Sequence, residues 1–478
     1  MAPTPAPEPE HLEWKSLPQA EIERLIDAEA DRNGIEKPQG YKVSFHYNAD
    51  VESHHFGKTH PMKPWRLMLS KQLIVGYGLQ YAMECYQSLP ATRQELARFH
   101  TDRYLDFLGI VNPLNMEDWK AERDRFGFGD DCPVFDGMWD YVSLYGGASL
   151  QAARTLMSHE ADIAINWSGG LHHAKKSAAS GFCYVNDIVL AIQEMLRHHA
   201  RVLYVDIDVH HGDGVEQAFW STDRVCTLSY HKYDPEVFFP GTGGADETGP
   251  PHSRDEGAHH ALNVPLDDGI DDEQYGDLFR RITGAVIDAF DPGAIVLQCG
   301  ADSLGGDRLG RFNLNIKAHG ACVAFVKSRC HDRPLLILGG GGYTPRNVAR
   351  TWCHETALAV GAELRGTLPA HIPYRQAFMG EDNGAGLLYP ELHNIEGKRH
   401  QNRHSPAGLA RLVENVLTQL RYVRGAPSVQ MQELPRDYSR ARAEAEERFQ
   451  EELMEMDGVA EGRRRRKEKN VGGRGEFR

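Results

Sequence analysis

Six short and almost continuously apolar runs punctuate the chain: YKVSFHY (41–47), ADIAINW (161–167), RVLYVDIDV (201–209), RVCTLSY (224–230), GAIVLQCG (293–300) and PLLILGGGG (334–342). A strand with one wet face alternates apolar and polar residues. A run that is apolar at nearly every position needs cover on both faces. Helix-like segments separate the runs. In 186–199, Asn186 or Asp187 stands near the cap, and Ile188, Val189, Ala191, Ile192, Met195 and Leu196 form the apolar side. The alternation predicts an α/β fold: three α/β/α layers around a central, mostly parallel sheet. Such sheets bind ligands beyond the carboxyl ends of their strands, and the polar motifs follow the apolar runs.

Composition sets outer bounds. With 478 residues and 41% hydrophobic content the chain can bury a large core, which excludes wholesale disorder. No stretch approaches the roughly 20 apolar residues of a membrane span, and MAPTPAPEPEHLEW has neither half of a secretory signal. The net charge of −15 disfavours broad nucleic-acid binding and direct sequence-specific DNA recognition. It does not argue against basic partner proteins. Eight scattered cysteines without a CxxC pair read as reduced core thiols. Residues 1–38, with one amphipathic stretch at 22–30, are expected to be a disordered leader. Ser405-Pro406 opens a helix with Leu409, Leu412, Val413, Val416, Leu417 and Leu420 at helical spacing. From 437 to 478 the composition turns to a charged tail, expected to be disordered. Its basic run at 463–467 reads equally as a nuclear-import or nucleic-acid element and as a solvated tail.

Four segments carry chemistry. In Asp206-Ile207-Asp208-Val209-His210-His211-Gly212-Asp213, an extended backbone would turn positions 206, 208 and 210 to one side. Carboxylates in an apolar strand are costly unless they are paired or bind a cation, and Asp208 and His210 are zinc-type ligands. Asp302, after GAIVLQCG, reads as a third ligand or as a turn residue. His172 and His173, after ADIAINW, read as general base and acid beside a metal, as ligands, or as a polar loop. Gly339 to Gly342 allow close backbone approach, and Tyr343 beyond them can donate to an oxyanion or simply pack. Phe182 lines a channel or belongs to the core.

Read together, these segments resemble one family, the zinc-dependent class I histone deacetylases. The resemblance runs through HPMKPWR (60–66), DCPVFDG (131–137), NWSGGLHHAKKSAASGFCYVNDIVLAI (166–192), YVDIDVHHGDGVEQAF (204–219), FFPGTG (238–243), CGADSLGGDRLGRFNL (299–314) and GGGGYTPRNVARTW (339–352). It implies the arginase/deacetylase fold, with a catalytic domain over 39–436. It implies a catalytic Zn²⁺ on Asp208, His210 and Asp302. The tandem catalytic histidines would be His172 and His173, hydrogen-bonded by Asp206 and Asp213 respectively, and Tyr343 would stabilise the tetrahedral intermediate. It implies an acyl-lysine tunnel walled by Gly181, Phe182, Phe239 and Leu309, a rim aspartate at Asp131, and Arg66 at an internal cavity. A structural K⁺ would sit near Asp206, Asp208, His210 and Ser229. An inositol phosphate would sit near Lys63, Arg308 and Arg346.

The implied activity is hydrolysis of N6-acetyl-lysine on histone tails, releasing acetate, by the nuclear catalytic subunit of a transcriptional corepressor complex. Segments 371–379 and 424–430 resemble the branch associated with SANT-domain corepressors. Two departures stand out. The stretch GADETGPPHSRDEGAHHAL (244–262) is longer and less basic than the resemblance implies, which touches a K⁺ ligand near His260. Thr59 stands where the inositol-phosphate site usually has glycine. Three rivals share parts of this pattern: an acetylpolyamine amidohydrolase, a non-catalytic scaffold, and a dinuclear manganese ureohydrolase. The last needs ligands beyond Asp208, His210 and Asp302.

Overall fold

A computed structural model describes residues 17–252, 254–330, 332–379, 385–395 and 397–423. The expected tail at 437–478, its basic run and segment 424–430 lie outside the described residues.

Eight strands form one sheet: β1 (Val43–Tyr47), β2 (Glu84–Gln87), β3 (Ile163–Asn166), β4 (Val202–Asp206), β5 (Val225–Lys232), β6 (Ala261–Leu266), β7 (Ala294–Gln298) and β8 (Leu335–Leu338). Their order is β2-β1-β3-β8-β7-β4-β5-β6, and every pairing is parallel. This is the three-layer α/β architecture of the arginase/deacetylase fold. All six apolar runs contribute a strand. β2 and β6 were not foreseen. Every residue of ECYQ is exposed, and Asn and Pro interrupt ALNVPL. Neither segment carries the doubly buried pattern.

The period of two along the central strands divides the interior into two cores. Ile163, Ile165, Leu203, Val205, Ile295, Leu297, Leu335 and Ile337 belong to one apolar cluster, under helices Trp65–Gly76, Asp272–Phe290, Ile316–Cys330 and Pro345–Val360. Ala164, Val202, Tyr204, Val296, Leu336 and Leu338 belong to the other, under Asp187–Met195, Asp213–Phe219 and the end of Met138–Met157. Helices therefore cover both faces, which is why the runs are apolar at successive positions.

Two expectations are corrected. The leader is not disordered throughout: Gln19–Arg32 is a helix with Ile26, Glu29 and Ala30 buried. The Arg365 Nε donates to Glu29 at 2.5 Å, and the Arg365 amide donates to Asn33 at 2.8 Å. The apolar side of the 22–30 stretch thus found a surface to cover. The backbone beyond Asp206 is not extended either. There the Asp208 amide donates to the Asp206 carboxylate at 3.0 Å, and the His210 amide to Asp208 at 3.1 Å. Successive side chain-to-backbone turns, rather than a pleat, aim these groups.

Helix Pro406–Leu420 starts at Ser405, whose hydroxyl accepts from the Gly408 amide. Val413, Val416 and Leu420 are buried, while Leu417 is 41% exposed, so the stripe is narrower than its sequence spacing. The eight cysteines are free, and only Cys85 is exposed. Among the described residues no helix is long and apolar enough to cross a membrane.

Candidate active site

Four neighbouring central strands, β3, β8, β7 and β4, send their carboxyl ends to one place. After β3, the buried Asp187 carboxylate accepts from the Gly170 amide (2.9 Å), the Leu171 amide (2.9 Å) and the Ser149 hydroxyl (2.6 Å). This fixes the turn that presents His172 and His173, both buried. After β8, the Gly341 amide donates to Asp208 at 2.8 Å. A Cβ at Gly341 would lie 2.0 Å from an Asp302 oxygen, so only glycine fits that approach.

Asp208, His210 and Asp302 meet with their ligand atoms within 4.8 Å of one another, all buried. His210 Nδ1 lies 3.1 Å from Asp208 Oδ1 and 3.1 Å from Asp302 Oδ2. Burial, followed by the neighbouring Asp208 charge, pushes Asp302 up to about 7. Two crowded carboxylates and a ring nitrogen, out of water, make a donor set that a divalent cation would complete. The residues present therefore fit a metal.

The two histidines are held differently. His172 Nδ1 meets Asp206 at 2.7 Å, and Asp206 also accepts from the Tyr204 hydroxyl at 2.6 Å. His173 Nδ1 meets Asp213 Oδ1 at 2.7 Å, and Lys175 holds the other Asp213 oxygen at 2.5 Å. Burial opposes charge on His172, but Asp206 and Asp208 outweigh it and hold the ring up to about 9. Burial, then the charge on His172, pushes His173 down to about 3. The charged form is thus favoured on His172 and the neutral form on His173.

A cavity of about 400 Å³ leads to these groups. It is lined by His173, His210 and Tyr343 below, by Gly181, Phe182, Phe239 and Leu309 along its walls, and by Asp131 and Arg308 near its mouth. Phe182 stands edge-on to Tyr343 at 5.6 Å, and Phe239 edge-on to His173 at 4.9 Å. Gly181 has φ +51°, and a Cβ there would lie 2.4 Å from the His173 ring. Phe182 itself holds φ 67°, a conformation costing about 1–3 kcal/mol that recurs where side chains are positioned for function. Burial keeps the Tyr343 hydroxyl protonated, well above its ordinary range.

The remaining expected residues fall as follows. Asp206 and Ser229 are register partners on β4 and β5, and the Ser229 hydroxyl contacts His231 at 2.9 Å. Lys63 lies close enough to Arg308 to be lowered, after burial, by its charge. Arg346 is in the first turn of Pro345–Val360. Arg66 is buried, gives 2.5 Å hydrogen bonds to the carbonyls of Gly340 and Gly342, and stacks over Trp352.

Five contributors were not foreseen. They are Tyr204, Lys175, Asp187, Gln298 (2.9 Å to Asp208) and Asp307, which accepts from the Tyr343 amide at 2.7 Å. Gln298 and Tyr204 were visible as polar residues inside apolar runs. The others gave no local signal.

The model of the family described as histone deacetylase domain matches residues 60–359, a span that holds all four loops and the residues lining the cavity. The chain belongs to the histone deacetylase family. Curated relatives agree with this. Histone deacetylase RPD3 of Saccharomyces cerevisiae is 48% identical over 396 residues, covering 83% of this chain and 87% of the relative. Histone deacetylase 9 of Arabidopsis thaliana is 48% identical over 398 residues, covering 83% and 89%. Histone deacetylase 1 of Homo sapiens is 48% identical over 396 residues, covering 83% and 78%. The histone deacetylase family comprises metal-dependent enzymes, and the chain carries the Asp208, His210 and Asp302 cluster within the matched span.

Proposed function

We propose that this enzyme hydrolyses N6-acetyl-lysine on histone tails and releases acetate. The observation that carries the reading is the aromatic-walled cavity ending on the Asp208, His210 and Asp302 cluster between His173 and Tyr343. Its rings suit the long apolar stem of a lysine. A neutral acyl-lysine enters at little cost, whereas a free ammonium would lose its hydration. Asp131 at the mouth would hold the substrate backbone by accepting its amide hydrogens.

Asp208, His210 and Asp302 would hold a Zn²⁺ ion. When bound, the ion supplies a Lewis acid for the acetamide carbonyl and lowers the pKa of water. His173, kept neutral, takes the proton of the attacking water at Nε2, while Asp213 accepts its Nδ1–H and orients the ring. His172, kept charged on Asp206, stabilises negative charge beside it. The Tyr343 hydroxyl donates to the developing oxyanion. His173 then returns its proton to the departing lysine nitrogen, which closes the cycle.

The finer assignments belong to the same proposal. The catalytic domain would span 39–436. A K⁺ ion would sit near Asp206, Asp208, His210 and Ser229. An inositol phosphate would sit between Lys63, Arg308 and Arg346, bridging to a SANT-domain corepressor in a nuclear transcriptional complex. The adjacency of Lys63 to Arg308 supports that anion site.

The test is competition between an acetylated histone-tail peptide and acetylspermidine, with the full chain, added inositol phosphate and a corepressor SANT fragment. Peptide turnover that collapses in His173→Ala and Tyr343→Phe is expected. Turnover of acetylspermidine alone would overturn the substrate assignment.

A further inference from the structure

Lys175 takes no part in the chemistry described above, yet it completes one of the two histidine supports. The Asp213 carboxylate is held at both oxygens: Oδ1 by His173 Nδ1 at 2.7 Å and Oδ2 by Lys175 Nζ at 2.5 Å. The Lys175 backbone is itself fixed, because its amide donates to the Ala178 carbonyl at 2.9 Å. Among the described residues no lysine or arginine pairs with the other support. Asp206 takes its bonds from the Tyr204 hydroxyl and the Asp208 amide. Two neighbouring imidazoles therefore stand on unlike bases.

We infer that Lys175 is a positioning residue for the deacetylation reaction: its ammonium pins the Asp213 carboxylate so that Oδ1 stays aimed at His173. A carboxylate held at one oxygen can turn about its last torsion, which is broad and two-fold. Held at both, it keeps one oxygen on the ring, and His173 Nε2 stays directed into the cavity. Burial pushes the Asp213 carboxyl up, but the His173 hydrogen bond and the charge and hydrogen bond of Lys175 hold it low. The group is therefore an anion that can accept both bonds. The Lys175 side chain is 25% exposed but the Asp213 side chain only 14%, so losing the ammonium costs stability as well as geometry.

The structure also supplies a route for the test. A second cavity of about 400 Å³, outside the acyl-lysine tunnel, is lined by Lys175, Asp213, Glu216, Gln217 and Trp220. Its carboxylates favour a cation. With the Lys175 side chain shortened, a small alkylammonium can approach Asp213 Oδ2 from this side.

The inference rests on the deacetylase reading for its assay. The full chain is prepared as wild type, Lys175→Ala, Lys175→Arg and the exposed control Lys176→Met. Partners of site histidines are worth about 10–100-fold when removed, so Lys175→Ala is expected to lower kcat on an acetyl-lysine peptide by that factor. KM and bound zinc should stay near wild type, and the melting temperature should fall only by a few degrees. Lys175→Arg should recover most of kcat, and ethylammonium should restore Lys175→Ala saturably without effect on wild type. A second readout does not need turnover: the downfield proton of the His173 Nδ1–H···Asp213 bond should broaden or vanish in Lys175→Ala and persist in Lys176→Met. Wild type that turns over the peptide beside an equally active Lys175→Ala would overturn this inference and leave the deacetylase reading standing. Inactive wild type would overturn that reading instead, and the imidazole proton would still decide the role of Lys175.

Discussion

Replacing Asp187 by alanine should unseat the histidine loop without touching substrate or metal ligands. The carboxylate is fully buried and holds three donors: the Gly170 and Leu171 amides, both at 2.9 Å, and the Ser149 hydroxyl at 2.6 Å. Each buried donor left without a partner costs about 1–3 kcal/mol, so the two amides alone cost about 2–6 kcal/mol. Some of this is offset, because burial already pushes the Asp187 carboxyl up and the variant no longer buries a charge. A net loss of about 2–4 kcal/mol remains. At about 2.1 cal/mol/K of unfolding entropy per residue, a chain of 478 residues melts about 2–4 °C lower for such a loss. The catalytic consequence should be larger than the thermal one. Leu171 directly precedes His172 and His173, and misplaced partners of site histidines cost about 10–100-fold. Asp187→Asn keeps one acceptor oxygen and should fall between the two. The assay is paired: thermal melting of each variant, and kcat on an acetyl-lysine peptide at equal bound zinc. An alanine variant that melts with wild type and retains its kcat would refute the reasoning.

Other consequences can be checked in parallel. His100 is held neutral, lowered by burial to about 4, with its Nε2 accepting the Asn186 amide at 3.0 Å. Its folded pKa lies below the unfolded 6.5, so the unfolded state binds the extra proton. Stability is full above pH 6.5 and falls by ~3 kcal/mol as pH drops to about 4. The melting temperature of His100→Gln should depend less on pH across that window than wild type, and equal slopes would count against the assignment. Gly181→Ala places a Cβ 2.4 Å from the His173 ring and 2.8 Å from Phe239 at positive φ. It should raise KM and lower kcat together while costing about 1–2 kcal/mol from backbone strain alone, measured by steady-state kinetics and melting. Chelation should lower the melting temperature of the wild type, and added Zn²⁺ should restore it. At a thousand-fold excess over Kd the restoration is about 4 kcal/mol. Asp302→Asn should not respond, and a wild type indifferent to chelator would contradict the metal assignment.

The sequence was most legible where burial repeats at every residue. The central strands β3, β4, β7 and β8 are apolar on both faces, so the runs betray both the strands and the layers above and below. The edge strand β2 lies exposed along its length, and nothing in ECYQ announces a strand. The Gln19–Arg32 helix was hidden for the opposite reason: its amphipathic stretch was visible, but the surface that orders it is remote in sequence. In the site, Asp208, His210 and Asp302 stood out because carboxylates and imidazole follow apolar strands. Asp187 and Lys175 did not. Asp187 reads as an ordinary helix-start residue, and Lys175 as one more lysine in a polar loop. Their work depends on contacts made across the fold, to residues 16 to 38 positions away.

The most direct measurement follows the oxygen of water into product. Full-length wild type is incubated with an acetylated histone-tail peptide in ¹⁸O-water, and peptide and acetate are quantified by mass spectrometry. One free lysine should appear for each acetate, each acetate should carry one ¹⁸O, and both should vanish in His173→Ala. An unchanged peptide beside metal-loaded enzyme and corepressor fragment, or acetate released only from acetylspermidine, would contradict a histone-tail deacetylase.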